Sequence, residues 1–294
     1  MNWTRRSFLA GAASAPAALA QRRTTAAPAR PNVILILADD LPAWALGCYG
    51  NSEIKTPHID ALARAGTRFT QHFVCTPICS ASRATLFTGR TPNQHGIQDF
   101  LTPQPVADPP QGQAKAPETF ARETMISDLL KSAGYRCGYM GKWHMDADQR
   151  PGHGYDQTYT FEGGSSAYQN PVMYLNGERR QEQGYLADLI TRQACAFLDA
   201  QTPAQPFFLT VSHFNPHTPY DGHPQPFYDM YADAKFERQG VMQAAPNALR
   251  EKEMLSDILG NFRKCAASIS ALDAQIPPLQ RKLMEKGLFD NTLV

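Results

Sequence analysis

Four short stretches of this sequence carry side chains that can do chemistry together: Asp39-Asp40, Cys79 with Arg83, Lys142 with His144, and the polar run from Ser212 to Thr218. Cys79-Ser80-Ala81-Ser82-Arg83, then Ala84-Thr85-Leu86-Phe87 and the stop at Gly89, describe a helix that begins near the cysteine. A helix start offers unpaired N–H groups and the positive end of its dipole, which favour an anion beside Cys79. Arg83 follows one turn later and reaches the same ligand. A small buried thiol on an apolar helix has the same spelling. Asp39 and Asp40 end an apolar run, where two adjacent carboxylates are costly unless positive charge meets them. A hard cation such as Ca²⁺ or Mg²⁺ fits, and so does a solvated turn or a helix cap. In Gly141-Lys142-Trp143-His144, an extended backbone sets lysine and histidine on one face. The lysine then neutralises an anionic oxygen and the histidine moves a proton near neutral pH; a surface lysine beside a packed Trp-His pair reads identically. His153, His213 and His223 read as satisfied loop residues.

Elements of regular structure must position these groups. Val33-Ile34-Leu35-Ile36-Leu37 and Pro206-Phe207-Phe208-Leu209-Thr210-Val211 are unbroken apolar runs, the pattern of strands buried on both faces of a parallel sheet. Ligands of such sheets bind at the carboxyl ends of the strands. Thr56 to Gly66 is a helix with Thr56 as its cap, Pro57 in its first turn and Gly66 as its stop. Thr67 to Thr70 reads as a strand. A helix over Thr124 to Lys131 precedes a strand at Tyr135 to Met140. Leu101 to Glu118 is a loop near the site mouth. Glu162 to Arg180 reads as irregular, Tyr185 to Ala200 as helix and Asp221 to Gln239 as loop. Leu249 to Leu288 reads as helix, kinked or split at Pro277-Pro278. Thr292-Leu293-Val294 opens a last strand.

Length and composition bound the rest. The chain has 294 residues, 43% of them hydrophobic and 19% charged, with net charge +1. That suffices for a large α/β core. The near-neutral balance argues against nucleic acid or an anionic membrane as partner. Thr4-Arg5-Arg6-Ser7-Phe8-Leu9, followed by an alanine-rich run to Ala18-Leu19-Ala20, reads as a twin-arginine export signal over 1–20 with a linker over 21–30. The expected location is periplasmic or extracellular, without stable membrane insertion. Six cysteines form no C-x-x-C pair, and Cys75 and Cys79 have neither zinc nor thioredoxin spacing.

Several motifs, taken together, resemble the sulfatase family: Pro31-Asn32-Val33 through Asp39-Asp40, Gly47-Cys48-Tyr49-Gly50-Asn51, Thr56-Pro57-His58-Ile59-Asp60, the C-x-A-x-R of Cys79 to Arg83 with Thr88-Gly89-Arg90, Gly141-Lys142-Trp143-His144, Gly154-Tyr155-Asp156 and Pro216-His217-Thr218-Pro219. The resemblance implies an α/β, alkaline-phosphatase-like fold, a largely parallel central sheet sandwiched by helices, over 31–294. It implies hydrolysis of aryl or carbohydrate sulfate esters, with Cys79 oxidised by a maturase to formylglycine, an aldehyde whose hydrate is the nucleophile. Asp39, Asp40 and the converted Cys79 would hold Ca²⁺, Arg83 would hold the hydrate, and Lys142 would bind sulfate. His144 would help release sulfate from the hydrate, and His217 would protonate the leaving alcohol. Ala81 stands where the family more commonly has proline. The family's S-D-H-G or S-D-N-G string, which follows the last strand, has no counterpart before Val294. The expectation is therefore an incomplete domain lacking its last strands and smaller C-terminal subdomain, with an exposed sheet edge and poor stability. The alternatives are a phosphate or phosphonate ester hydrolase of the same superfamily, and an inactive fragment.

Overall fold

The computed structural model describes residues 30–102, 116–234, 236 and 261–294. The expected export signal over 1–20 lies outside them, as do 21–29 of the linker and 103–115 of the Leu101 to Glu118 loop.

The strands are β1 (Asn32–Leu37), β2 (Arg136–Gly141), β3 (Gln157–Thr160), β4 (Val172–Leu175), β5 (Glu178–Gln181), β6 (Phe207–Ser212) and β7 (Thr292–Leu293). The helices are α1 (Pro57–Ala65), α2 (Cys79–Thr88), α3 (Pro92–His95), α4 (Ile126–Ser132), α5 (Leu186–Asp199), α6 (Gln225–Asp229), α7 (Phe262–Asp273) and α8 (Ile276–Glu285). The seven strands of the described residues join one sheet in the order β5-β4-β3-β2-β6-β1-β7. Pairing is parallel from β3 through β7 and antiparallel across β3-β4-β5. This is the expected largely parallel α/β sheet. Its centre is apolar because both faces are covered: every residue of β6 is buried.

Alternation along β2 shows the two layers. Met140 packs with Ile190 and Phe197 of α5 and Leu283 of α8. Its neighbour Tyr139 packs on the other face with Ala84 and Phe87 of α2, Phe120 and Trp143. Successive side chains of a strand point to opposite faces, so one strand feeds two cores. Gly138 is needed where α5 lies close, since a Cβ there would stand 2.7 Å from the Phe197 ring.

Three local expectations are corrected. Thr67 to Thr70 is not a strand; the stretch is irregular and exposed, with no neighbouring strand to take its backbone groups. Glu162 to Arg180 is not wholly irregular, because it contains β3's antiparallel neighbour and most of a hairpin. Leu175 pairs with Glu178 across Asn176-Gly177, whose φ values of 53° and 91° are those of a tight hairpin turn. Asn-Gly was the available signal. Asp221 to Gln239 is not all loop, since α6 lies within it. The Pro277-Pro278 split is present, with the prolines in the first turn of α8, where no intrahelical N–H is required.

Candidate active site

The expected residues meet at the carboxyl ends of β1, β2 and β6. Asp39 and Asp40 follow β1, Lys142 follows β2, and His213 to His217 follow β6. Cys79 opens α2, and Arg83 lies one turn along it. The backbone is shaped for this meeting. Gly141 has φ 115°, and a Cβ there would lie 1.8 Å from the Ser212 carbonyl oxygen. Only glycine allows that approach, which lets Lys142 N–H donate to Ser212 O at 2.9 Å.

Beneath the surface, Asp39 is buried between two cations. Lys142 Nζ donates to its Oδ2 at 2.5 Å and an Arg83 guanidinium nitrogen to its Oδ1 at 3.3 Å. Arg83 also donates to Ser212 Oγ at 2.7 Å and to the Lys142 carbonyl at 2.8 Å. Burial disfavours ionisation of Asp39, but Arg83 and Lys142 outweigh it and hold the carboxyl below its usual range. Lys142 itself is wholly buried, so it is not a surface lysine.

Asp40 stands exposed, Cys79 and His217 are half-buried, and His144 is buried behind them. They line a cleft of about 510 Å³, with Pro77, Ile78, Phe100 and Leu101 as apolar walls. A second hollow of about 450 Å³ opens beside Cys79 and reaches Asp39, Asp40 and Arg83. His144 Nδ1 lies 3.3 Å from Cys79 Sγ, and its Nε2 is 2.8 Å from the Leu101 carbonyl. A carbonyl only accepts, so Nε2 carries the proton and Nδ1 presents a lone pair to position 79. Burial, then the charge of Lys142, push the His144 pKa down to about 4. Burial also pushes the Cys79 thiol up. At neutral pH the pair is a thiol beside a neutral imidazole. His217 Nδ1 donates to the Thr218 carbonyl at 2.6 Å, its ring stacks on Phe214, and its Nε2 stands 3.8 Å from Asp40 Oδ2. Asp40 has a φ of 64° and an exposed side chain. Partial desolvation, then the charge of Asp39, raise its pKa.

Sequence reasoning passed over Asp148 and Gly164 and gave Ser212 no role of its own, though all three hold this arrangement. Asp148 accepts from the His144 N–H at 2.6 Å and the Gly163 N–H at 3.0 Å, pinning His144 in its left-handed conformation, φ 56°. Burial raises the Asp148 pKa to about 7. Gly164 lies against the His144 ring, where a Cβ would stand 2.2 Å from Cε1. Ser212 anchors Arg83. Only Ser212 had a signal, its place at a strand's carboxyl end. The reading of His213 as a satisfied loop residue is corrected: it is fully buried, and among the described residues neither ring nitrogen has a partner. His223 uses Nδ1 on the Tyr185 hydroxyl at 2.9 Å but leaves Nε2 unmatched among the described residues. His153 contacts Asp128 and Asp146.

For a cation, Asp39 and Asp40 supply hard carboxylate oxygen at one edge, and Asp40 is open to receive it. They fit as part of a Ca²⁺ shell, which takes roughly six to eight oxygens. Among the described residues no group of three His, Cys, Asp or Glu side chains forms a complete metal site.

Comparison with known proteins bears on the whole of this region. The sequence profile of the sulfatase family matches residues 31–294. The chain is 28% identical over 280 residues to an ulvan-active sulfatase of Formosa agariphila, covering 91% of this chain and 50% of that protein. It is 40% identical over 126 residues to the steryl-sulfatase of Mus musculus, covering 40% of this chain and 18% of that one. The crystal structure of Ps i-CgsB in complex with k-i-k-neocarrahexaose superposes with a TM-score of 0.72 at 28% identity, over 90% of this chain and 57% of that one. The chain thus spans half the length, or less, of these two curated relatives.

Proposed function

The chain belongs to the sulfatase family, and from that premise we propose that it serves the hydrolysis of sulfate esters of carbohydrates or small alcohols, with position 79 as the nucleophile. The observation that carries this reading is the convergence of Cys79, Arg83, Lys142, His144 and His217 with Asp39 and Asp40 at one sheet edge. Formylglycine, made from Cys79 by a maturase, would supply an aldehyde hydrate as nucleophile. Ca²⁺ held by Asp39, Asp40 and residue 79 would supply a Lewis acid for an anionic oxygen.

The chain's own groups have the following work. Arg83 and Lys142 share one carboxylate, so one positive charge remains to attract an anionic sulfate group. His144, neutral and with Nδ1 facing position 79, accepts a proton there. His217 Nε2 faces Asp40 and, once it has taken up a proton there, gives that proton to a leaving oxygen. Pro77, Ile78, Phe100 and Leu101 give the cleft an apolar wall against which the organic part of an ester packs. Export through the twin-arginine signal over 1–20 belongs to the same reading, with 31–294 as catalytic domain.

The test is coexpression with a formylglycine-generating maturase, followed by mass analysis of the Cys79 peptide and turnover of p-nitrophenyl sulfate against p-nitrophenyl phosphate. An aldehyde mass at residue 79 with preference for sulfate is expected. Preference for phosphate would move the chain to the ester hydrolases of phosphate or phosphonate. A fully converted chain that turns over neither ester would favour the second reading, an inactive anion-binding fragment. That reading draws support from the finding that, among the described residues, no group of three His, Cys, Asp or Glu side chains is placed to hold a metal, and micromolar Ca²⁺ binding by calorimetry would count against it.

A further inference from the structure

A second cavity, of about 400 Å³, lies beside the β4-β5 hairpin and shares Ser165 with the wall of the Cys79 cleft. The two are of the size that holds small ligands, roughly 300–1,000 Å³ each. Their linings differ. The cleft is walled by Pro77, Ile78, Phe100 and Leu101. The hairpin cavity presents Glu162, Ser165, Ser166, Asn170, Arg179 and Gln181. Glu162 is already engaged, accepting from Gln149 at 3.0 Å and from the Tyr174 hydroxyl at 3.1 Å. The arginines around it are engaged unequally. Arg180 pairs with Glu178 at 2.8 Å and Arg192 with Glu182 at 3.8 Å. Arg179, which lines the cavity, pairs with no carboxylate among the described residues.

We propose that this hairpin cavity is a second sugar subsite, taking an anionic unit adjacent to the one held at Cys79. The proposal rests on the sulfate-ester reading and gives it a substrate class, an oligosaccharide carrying negative charge on consecutive units. A guanidinium that meets the Tyr174 hydroxyl but no carboxylate among the described residues matches a sulfate or carboxylate through parallel N–H bonds. Hydroxyl and amide side chains around it match sugar hydroxyls. A small aryl sulfate fills only the cleft and reaches none of this. The Asn176-Gly177 turn sets the placement of Arg179, because tight pairing of β4 and β5 fixes which residues face inward.

The test uses the full chain with maturase, in wild-type form and as Arg179→Ala and Arg179→Lys. The substrates are p-nitrophenyl sulfate, a sulfated galactan tetrasaccharide and a sulfated, uronate-containing tetrasaccharide. The expected result is at least a tenfold fall, in Arg179→Ala, of kcat/KM for a tetrasaccharide relative to that for p-nitrophenyl sulfate, carried in KM. Arg179→Lys should recover part of it. The tetrasaccharide that shows the fall identifies the neighbouring anion as sulfate or carboxylate. An equal effect on all substrates, or none, overturns the subsite. If wild-type chain turns over no ester, the sulfate-ester reading fails by itself. Calorimetry with the unconverted chain then decides the subsite: tighter binding of a tetrasaccharide than of the sulfated monosaccharide, weakened tenfold by Arg179→Ala, supports it, and equal binding overturns it.

Discussion

Beneath the cleft, Asp39, Arg83, Lys142 and Ser212 bond to one another; on its rim, Asp40, Cys79 and His217 meet open space, with buried His144 in the wall behind them. Asp39 and Asp40 are adjacent in sequence and differ completely in surroundings. The buried group is self-satisfied, so its geometry survives without a ligand. The rim group makes few bonds and is held from behind, by Leu101, Asp148, Phe214 and Thr218. The contrast teaches where charge is stored and where it is used. Two cations on one buried carboxylate leave a positive charge under the floor, and on the proposed reading the rim carries the groups that exchange protons.

The sharpest way to break this contrast is Arg83→Leu. It strands Asp39 and Ser212 in the interior and should cost about 3–5 kcal/mol in denaturant unfolding, against under ~1 kcal/mol for His217→Ala on the rim. Similar losses from both would erase the distinction.

Acid is the next lever. Burial depresses the pKa of His213 to about 3, and those of His144 and His223 to about 4. Their unfolded values are ~6.5, so below that pH the unfolded chain binds more protons. Stability should fall as pH drops from 6.5 toward 4, by about 1.4 kcal/mol per pH unit for each histidine at most. Asp148, raised to about 7, opposes this, since its folded form holds a proton more tightly. Melting curves from pH 7 to 4 should show the net loss, and His213→Leu should flatten the slope. A slope unchanged in that variant would remove His213 from the account.

Gly164→Ala sharpens the comparison on the rim. The added methyl should displace the His144 ring, cost about 1–3 kcal/mol and break its contact with Cys79. Imidazole ¹⁵N shifts that match wild type would show that the ring tolerates the methyl. The smallest effect is expected for Asp40→Asn, within ~1 kcal/mol in stability because the side chain is exposed. A larger loss would mean that the rim is part of the buried network.

Much of this was legible in the chain. Val33 to Leu37 and Phe207 to Val211 announced inner strands of the sheet; β6 is buried throughout, whereas β1, beside the two-residue β7, is mostly half-buried. Cys79 and Arg83 announced a helix start through their spacing and the Gly89 stop. The hairpin was less visible, since β5 is Glu-Arg-Arg-Gln and lacks an apolar period, leaving Asn176-Gly177 as its sole mark. Asp148 and Gly164 gave no signal. Each acts only through His144, and nothing local says that a carboxylate or a missing methyl lies against a ring brought from another segment.

What the sequence determined by itself was the apolar strand runs, the chemistry-bearing types at their carboxyl ends and the family to which those motifs are similar. Periodicity and local spacing encode such things within a few residues. Only the tertiary structure decided that Asp39 is paired with Arg83 and Lys142 while Asp40 stays open, and that Arg179 lines a cavity sharing Ser165 with the Cys79 cleft. Burial and pairing between distant segments depend on how the strands are ordered in the sheet, which no single segment specifies.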